Sequence, residues 1–380
     1  MKKSSKYIKI DESNAQKLHQ FLKKGLISEI TLDSSRNVQY EENYVLFPIK
    51  LSIFKLKYVK EKLEHQFKYK IVFRASKQFN WPESKSLKAS LHKELPKKLL
   101  KLVPQSYDII GDIAILEFDQ IIRISKKKYV KFKKKVAEKL IAINKAISRV
   151  YEKKSEIKGQ YRLRDFDLIC GTDNPETIYK ENTCQFKLDI KKTYFSPRLV
   201  FERKRIASLI YKDDEKVIDL FAGVGTFSIQ IAKSHSVTVH AFDINPVAYL
   251  YLKENLKLNK LKGKVIVHQL DVLDLLVTEN KIGRELKSQA NRIIMNLPEK
   301  SIDYLKVACF LLPDSGGLIH IYQFCEKPNA IKKSIEKISI ELDKTGWKIQ
   351  KVINAKIVKA YSPKSDLIVL DLSIYKIRCE

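Results

Sequence analysis

The residues with the most chemical content lie between positions 219 and 299. Asp219-Leu220-Phe221-Ala222-Gly223-Val224-Gly225-Thr226-Phe227-Ser228 starts in a strand-like run, Val217–Phe221, and opens a helical pattern. Gly223 and Gly225 have no Cβ, so the backbone there can turn tightly and lie against a ligand. A dinucleotide-binding loop carries a third glycine where this chain has Ser228, and Asp219 would repel a pyrophosphate. A carboxylate ahead of the glycines suits a cationic, zwitterionic ligand such as S-adenosylmethionine. The next strand ends in Phe242-Asp243-Ile244-Asn245-Pro246, where Asp243 is placed to accept from both ribose hydroxyls. The third ends at Asp271-Val272-Leu273-Asp274, where Asp271 can accept from the adenine amino group. Singly these features are common; in order, at consecutive strand ends, they point to an adenosylmethionine fold, with a nicotinamide dehydrogenase as the remaining alternative.

The fourth strand ends in Asn296-Leu297-Pro298-Glu299, where such enzymes present groups to the methyl acceptor. Methylation of exocyclic amines uses Asn/Asp-Pro-Pro-Tyr/Phe at this point, and the second proline and the aromatic are both missing here. Carbon-5 adduct chemistry needs a nucleophilic cysteine, and this loop has none. A ring nitrogen such as guanine N1 remains. Its methylation needs a base for the N1 proton and a donor for charge building on O6.

The elements that must hold these groups alternate. Strand-like runs at Val217–Phe221, Val237–Phe242, Val265–Leu270, Arg292–Leu297 and Leu318–Phe324 are separated by helical patterns at Thr226–Ala232, Pro246–Leu258, Ser301–Leu312 and Ala330–Leu342. That is the signature of βαβ units around a parallel sheet. Gln350–Lys359 and Asp366–Tyr375, joined through Tyr361-Ser362-Pro363, suit a terminal antiparallel hairpin. Upstream, Asp11 or Ser13 caps a helix through Ala15, Leu18, Phe21 and Leu22, and Tyr44–Phe54 and Lys68–Phe73 read as strands. Trp81-Pro82-Glu83-Ser84 reads as a linker. Next come Asp108-Ile109-Ile110, the pair Gly111-Asp112, and Ile113-Ala114-Ile115-Leu116. A long helix should follow, with Val136, Leu140, Ile143, Ile147 and Val150 on one apolar face. Its start, Lys126 to Lys135, holds seven lysines, read either as a solvated face or as a phosphate-contacting one. The expected fold is a Rossmann-like α/β domain over 189–380 preceded by two smaller α+β domains, 1–82 and 83–188.

Composition sets the partner. Lys+Arg 73 against Asp+Glu 44 gives a net charge of +29, and such a chain usually meets a polyanion. The cysteines have no metal-ligand or disulfide spacing, so no metal is expected. No signal peptide or membrane-length apolar run is present, so the expected location is cytoplasmic.

The sequence resembles the archaeal and eukaryotic tRNA (guanine-37 N1)-methyltransferase family over nearly all its length. The resemblance rests on Tyr161-Arg162-Leu163-Arg164, on Tyr194-Phe195-Ser196-Pro197-Arg198-Leu199 with Glu202-Arg203, on the Asp219–Gly225 loop, on Asn296-Leu297-Pro298 and on the Asp108–Ala114 stretch. It implies an S-adenosylmethionine-dependent methylation of N1 of the guanosine 3′ of the anticodon. Glu202 would be the general base, Arg162 the donor to O6, and Asn296 an orienting group. An Arg162 fork near the Glu202 carboxylate would keep that carboxylate ionised. Tyr194, Phe195 and Arg198 would form the linker-proximal wall of the site. With Asp219, Phe221, Gly223, Gly225, Asp243, Ile244, Asp271, Val272, Asn296 and Pro298 they would make the cofactor-binding surface. The partner would be tRNA, held at the outer corner by the first domain and at the anticodon arm by the others, with the protein a monomer. Without the resemblance, Glu202 would be a surface salt-bridge partner, Arg162 a phosphate contact and Asn296 a strand-end cap. The rival chemistries are carbon-7 methylation of the wyosine precursor on the same nucleotide and aminocarboxypropyl transfer. The latter usually departs from the Asn-Leu-Pro pattern kept here. A non-catalytic tRNA-binding protein and a ribosomal RNA methylase are the more distant readings.

Overall fold

A computed structural model describes residues 4–23, 30–33, 36, 38–51, 63–64, 67–75, 86–118, 125–209 and 211–377. The chain forms two compact units, Met1–Ser86 and Leu87–Glu380. The Trp81–Ser84 linker and residues 52–54 of the expected Tyr44–Phe54 strand lie outside the described residues, as does the Phe21 side chain.

In the first unit, β1 (Ser4–Asp11), β2 (Ile30–Leu32), β3 (Gln39–Glu41), β4 (Tyr44–Leu51) and β5 (Tyr69–Ala75) form an antiparallel sheet in the order β2-β4-β1-β5, with β3 on β4. Helix α1 (Glu12–Lys23) opens at Asp11, whose Oδ1 accepts from Ser13 N at 2.9 Å. That settles the cap in favour of Asp11. Leu18 and Leu22 of the helix pack on Ile8, Ile10, Val45, Phe47 and Ile49, the alternate residues of the facing strands.

The second unit begins with short helices α2 (Leu87–Ser90) and α3 (Lys97–Leu100), then the hairpin β6 (Asp108–Ile110) and β7 (Ile113–Leu116). Gly111 makes its turn at φ +60°, and a Cβ there would fall 2.1 Å from Thr177 Oγ1. Helix α4 (Lys126–Ile143) is shorter than its apolar periodicity implied. Ile147 lies beyond it and Val150 on β8 (Arg149–Lys153), which pairs parallel to β7. Asn144 ends the helix, its side chain accepting from Ala146 N at 3.2 Å. Val136, Leu140, Ile147 and Val150 still share one core; the pattern marked burial rather than helical continuity. Within the lysine run, Lys133 is enclosed, 2.6 Å from Glu152 and over the Tyr129 ring. Lys135 reaches Glu94 at 3.6 Å. Part of the run is therefore structural.

After β9 (Phe166–Cys170), the hairpin β10 (Glu176–Glu181) and β11 (Cys184–Asp189) docks on the helix Pro246–Leu258. Asn255 Oδ1 there accepts from Lys187 N at 2.7 Å. Helix α5 (Val200–Ala207) leads into the main sheet: β12 (Lys216–Asp219), α6 (Thr226–Ser234), β13 (Thr238–Asp243), α7 (Pro246–Leu258), β14 (Lys264–Gln269), α8 (Lys281–Leu286), β15 (Arg292–Met295), α9 (Leu305–Leu311), β16 (Gly317–Glu326), α10 (Ala330–Asp343), β17 (Trp347–Ala360) and β18 (Ser365–Lys376). Strand order is β14-β13-β12-β15-β16-β18-β17, with the first five parallel and β18 inserted antiparallel beside β16. The near-continuous apolar runs of β12, β15 and β16 follow from burial on both faces of this sheet. The chain reverses beside β12 to place β13 on one side and β15 on the other, so the loops after β12, β13 and β15 open at one end of the sheet.

Candidate functional site

The glycine loop sits where β12 ends. Gly223 (φ +56°) and Gly225 (φ +91°) both lie in the left-handed region. A Cβ at Gly225 would stand 2.9 Å from Leu252 Cγ, so packing as well as φ requires glycine there. At Gly223 only Tyr194 O comes within 4 Å, at 3.8 Å, which leaves a cradle for a ligand. Asp243 at the end of β13 holds the loop: Oδ2 accepts from Gly223 N at 2.7 Å and Oδ1 from Asn245 N at 2.8 Å. Asp219 is fully buried; its Oδ2 accepts from Ser228 Oγ at 2.7 Å while Oδ1 has no partner. Ser228, in place of the third glycine, thus aims Asp219. Burial pushes the Asp219 carboxyl up to about 7 and raises that of Asp243 as well. Asp219, fully buried with Oδ1 open and no cation beside it, suits a cationic ligand and disfavours a pyrophosphate, which counts against the dinucleotide reading. Asp271 caps the turn Val272–Leu276 through Leu273 N at 3.0 Å, with Val272 buried and Ile244 half-buried beside Asp243. Phe221 meets Tyr304 edge-on at 5.0 Å.

Arg162, Tyr194 and Pro298 line one cavity of about 700 Å³. Arg162 is 8% exposed and holds φ +57°, a strained conformation for a side-chain-bearing residue. Its guanidinium lies 4.6 Å over the Tyr194 ring, and Nη1 donates to Glu299 Oε2 at 2.8 Å. Nε and Nη2 are buried with no partner, and Asn296 Oδ1 is in the same condition. The expected pairing of Arg162 with Glu202 is corrected here: its carboxylate is Glu299. The turn carrying Arg162 faces the loop after β15, whereas α5 packs Glu202 against β16 and β17.

Glu202 is 3% exposed, so it is not a surface residue despite its charged neighbours. Oε2 accepts from Arg205 Nε at 3.0 Å and from Tyr322 OH at 3.1 Å; Oε1 accepts from Lys356 Nζ at 2.5 Å. Arg205 is itself held by Asp371, which also accepts from His320 at 2.7 Å and Asn354 at 2.9 Å. A carboxylate oxygen has two acceptor sites, so Oε2 is filled and Oε1 keeps one free.

Arg198 Nε pairs with Asp108 at 2.9 Å, and Phe195 packs edge-on to Tyr179 at 4.9 Å beneath Arg203. Arg203 and Glu181 form a bidentate pair 2% exposed on each side, and Arg203 Nη1 donates to Ser196 O at 3.0 Å. This fastens the Tyr194–Leu199 wall to β10. Arg203→Met is expected to destabilise the protein by about 3–5 kcal/mol, because Glu181 would remain buried without its partner. Urea unfolding checks it, and a loss under about 1 kcal/mol would mean that Gln230, 2.7 Å from Glu181, suffices.

Glu299, Arg205, Tyr322 and Lys356 were not singled out from sequence. Only Glu299, inside the strand-end motif, carried any local signal.

Comparison with known proteins finds relatives over nearly the whole chain. Residues 177–350 match the TRM5/TYW2 methyltransferase domain and residues 87–174 the TYW2 N-terminal domain. A Pyrococcus abyssi protein named tRNA (guanine(37)-N(1))-methyltransferase Trm5b is 32% identical over 360 residues, covering 93% of this chain and 96% of its own length. The Methanocaldococcus jannaschii Trm5b is 35% identical over 364 residues, 92% of this chain and 94% of its own. The solved complex of aTrm5 and tRNALeu superposes with TM-score 0.61 at 30% identity, covering 97% of this chain and 99% of that one.

Proposed function

The chain belongs to the TRM5/TYW2 methyltransferase family, and we infer that it transfers a methyl group from S-adenosylmethionine to N1 of guanosine 37 in tRNA. The observation that carries the chemistry is Arg162: a strained, buried guanidinium with two N–H groups unsatisfied in a cavity. Such donors match an oxygen that gains negative charge, as guanine O6 does when N1 loses its proton. Glu202 takes that proton on the free acceptor site of Oε1, while Arg205, Tyr322 and Lys356 hold the carboxylate in place. Asn296 Oδ1 is an acceptor suited to a guanine N–H.

When bound, S-adenosylmethionine supplies an electrophilic sulfonium methyl, and transfer leaves a neutral thioether. Gly223, Gly225 and Asp243 would hold its nucleoside portion and Asp219 its ammonium group, with Asp271, Ile244 and Val272 around the adenine. Tyr194, Phe221, Asn296 and Pro298 would border the methyl end; Phe195 would stiffen that wall from behind. Arg198 faces the RNA side of the cavity in this reading rather than the cofactor. Residues 1–82 would meet the tRNA outer corner and 83–188 the anticodon arm, with the chain acting as a cytoplasmic monomer.

Asp219 gives this reading a pH signature. Its folded pKa, about 7, lies above the usual 3.8, so its contribution to stability is full below about 4 and lost as pH rises through 7. An ammonium at Oδ1 favours the carboxylate instead. Binding of S-adenosylmethionine is therefore expected to release a proton at and just below pH 7 and to tighten as pH rises through that value. Calorimetry in two buffers of different ionisation enthalpy checks this, and identical heats would refute it.

The reaction itself is tested by nucleoside mass spectrometry of a G37 transcript incubated with the protein and labelled S-adenosylmethionine. The expected product is 1-methylguanosine. Label found only in tRNA carrying the wyosine precursor would move the assignment to carbon 7, and no label in either would remove catalysis.

A further inference from the structure

The cavity that holds Arg162 is more basic than one flipped base requires. Six cationic side chains and three carboxylates line it. Lys153 occupies two of the carboxylates, Glu117 at 3.1 Å and Glu156 at 2.9 Å. Arg198 occupies the third, Asp108. Among the described residues no carboxylate lies within ion-pair distance of Arg164 or Lys359, and Arg164 Nε is buried with no hydrogen-bond partner. Lys359 sits between like charges: burial lowers its pKa first, Arg198 and Arg164 lower it further, and Asp108 opposes them. The carboxylates nearest Arg164 and Lys359, Glu156 and Asp108, are already held by Lys153 and Arg198, so this partly desolvated wall lacks an anion. Beside them Tyr361, 46% exposed, is stacked on Phe324 at 3.9 Å and presents an aromatic surface to the same cavity.

We propose that Arg164, Arg198 and Lys359 form a phosphodiester subsite for the RNA strand next to the extruded nucleotide, with Tyr361 as the stacking surface for the adjoining unpaired base. The subsite rests on the reading of this cavity as the target-base site. A guanidinium with free N–H groups and a lysine that follows the phosphate as a point charge suit a backbone contact. An aromatic beside such cations is how single-stranded segments are commonly held. The subsite would keep the strand splayed at the point where the target base leaves the stack, offsetting part of the lost stacking.

The test is a salt titration of the affinity for a G37 transcript, comparing wild type with Lys359→Met and Arg164→Gln. Each substitution is expected to weaken binding roughly tenfold and to flatten the slope of log K against log salt by about 1. Tyr361→Ala should weaken binding without changing the slope, and Tyr361→Phe should restore it. Wild type is also titrated with transcripts carrying a single neutral methylphosphonate 5′ or 3′ of nucleotide 37, a measurement that needs no folded variant. One of these linkages should reproduce the loss and add nothing to Lys359→Met. Unchanged slopes in both variants, additive losses, or no effect of either linkage would overturn the subsite. If wild type makes no 1-methylguanosine, the proposed reaction fails while these binding results keep their meaning.

Discussion

Glu202→Gln is expected to lower the single-turnover rate of 1-methylguanosine formation by about 10²–10⁴-fold. The substitution preserves shape and removes the only group in the site proposed to take the N1 proton. The geometry says which atom matters: Oε2 is committed to Arg205 and Tyr322, and only Oε1, held by Lys356 alone, keeps an acceptor site. The glutamine amide can still accept on one side, but it turns an N–H₂ towards either a cation or the substrate's own N1–H. Collapse of the fold is not expected, because Arg205 stays paired to Asp371 and Tyr322 lies in a core with Phe227 and Val369. Binding of S-adenosylmethionine by the variant reports that the sheet is intact. A rate within about threefold of wild type would mean that water or another group takes the proton, and Glu202 would then be a structural anchor for Arg205.

The fold was legible where the physics is local or periodic. A parallel sheet buried on both faces needs apolar strands separated by helices, so β12 to β16 with α6, α7, α9 and α10 emerged from hydrophobic runs, while the short α8 (Lys281–Leu286) did not. The glycine loop was legible because its φ values and Asp219 are fixed within a few residues. Periodicity misled only past Asn144, where Ile147 and Val150 keep a helical spacing although one lies in a turn and the other on a strand. What sequence did not disclose was pairing across the fold. Arg162 meets Glu299 across 137 positions, Tyr322 meets Glu202 across 120 and Arg205 meets Asp371 across 166. A titratable residue announces its type but not its partner, since the partner depends on which strand ends the topology brings together. Glu202 illustrates the limit: its charged neighbours suggest a surface helix, and only the packing of α5 on β16 reveals that it is buried.

Arg162→Met should cost about 10²–10³-fold in the methyl-transfer step, the scale on which a preorganised donor to a developing oxyanion acts. Arg162→Lys separates charge from geometry. In the native fork Nη1 is spent on Glu299 while Nε and Nη2 remain free and buried, so one side chain can hold its anchor and still serve a ligand oxygen. A lysine has a single ammonium, and Glu299, at 40% side-chain exposure, would compete for it. The lysine variant is therefore expected to lose nearly as much rate as the methionine variant, although it keeps the charge. The backbone points the same way. A φ of +57° costs about 1 kcal/mol for a non-glycine residue, and the turn keeps it because the guanidinium stacks on Tyr194 and reaches into the cavity. Substitution of Glu299 by Gln adds the complementary arm. It loosens the anchor without removing the donor, so its loss should be smaller, and combining it with Arg162→Met should add little. Full activity in Arg162→Lys would show that charge alone stabilises O6, and the planar fork would then have no part in the reaction.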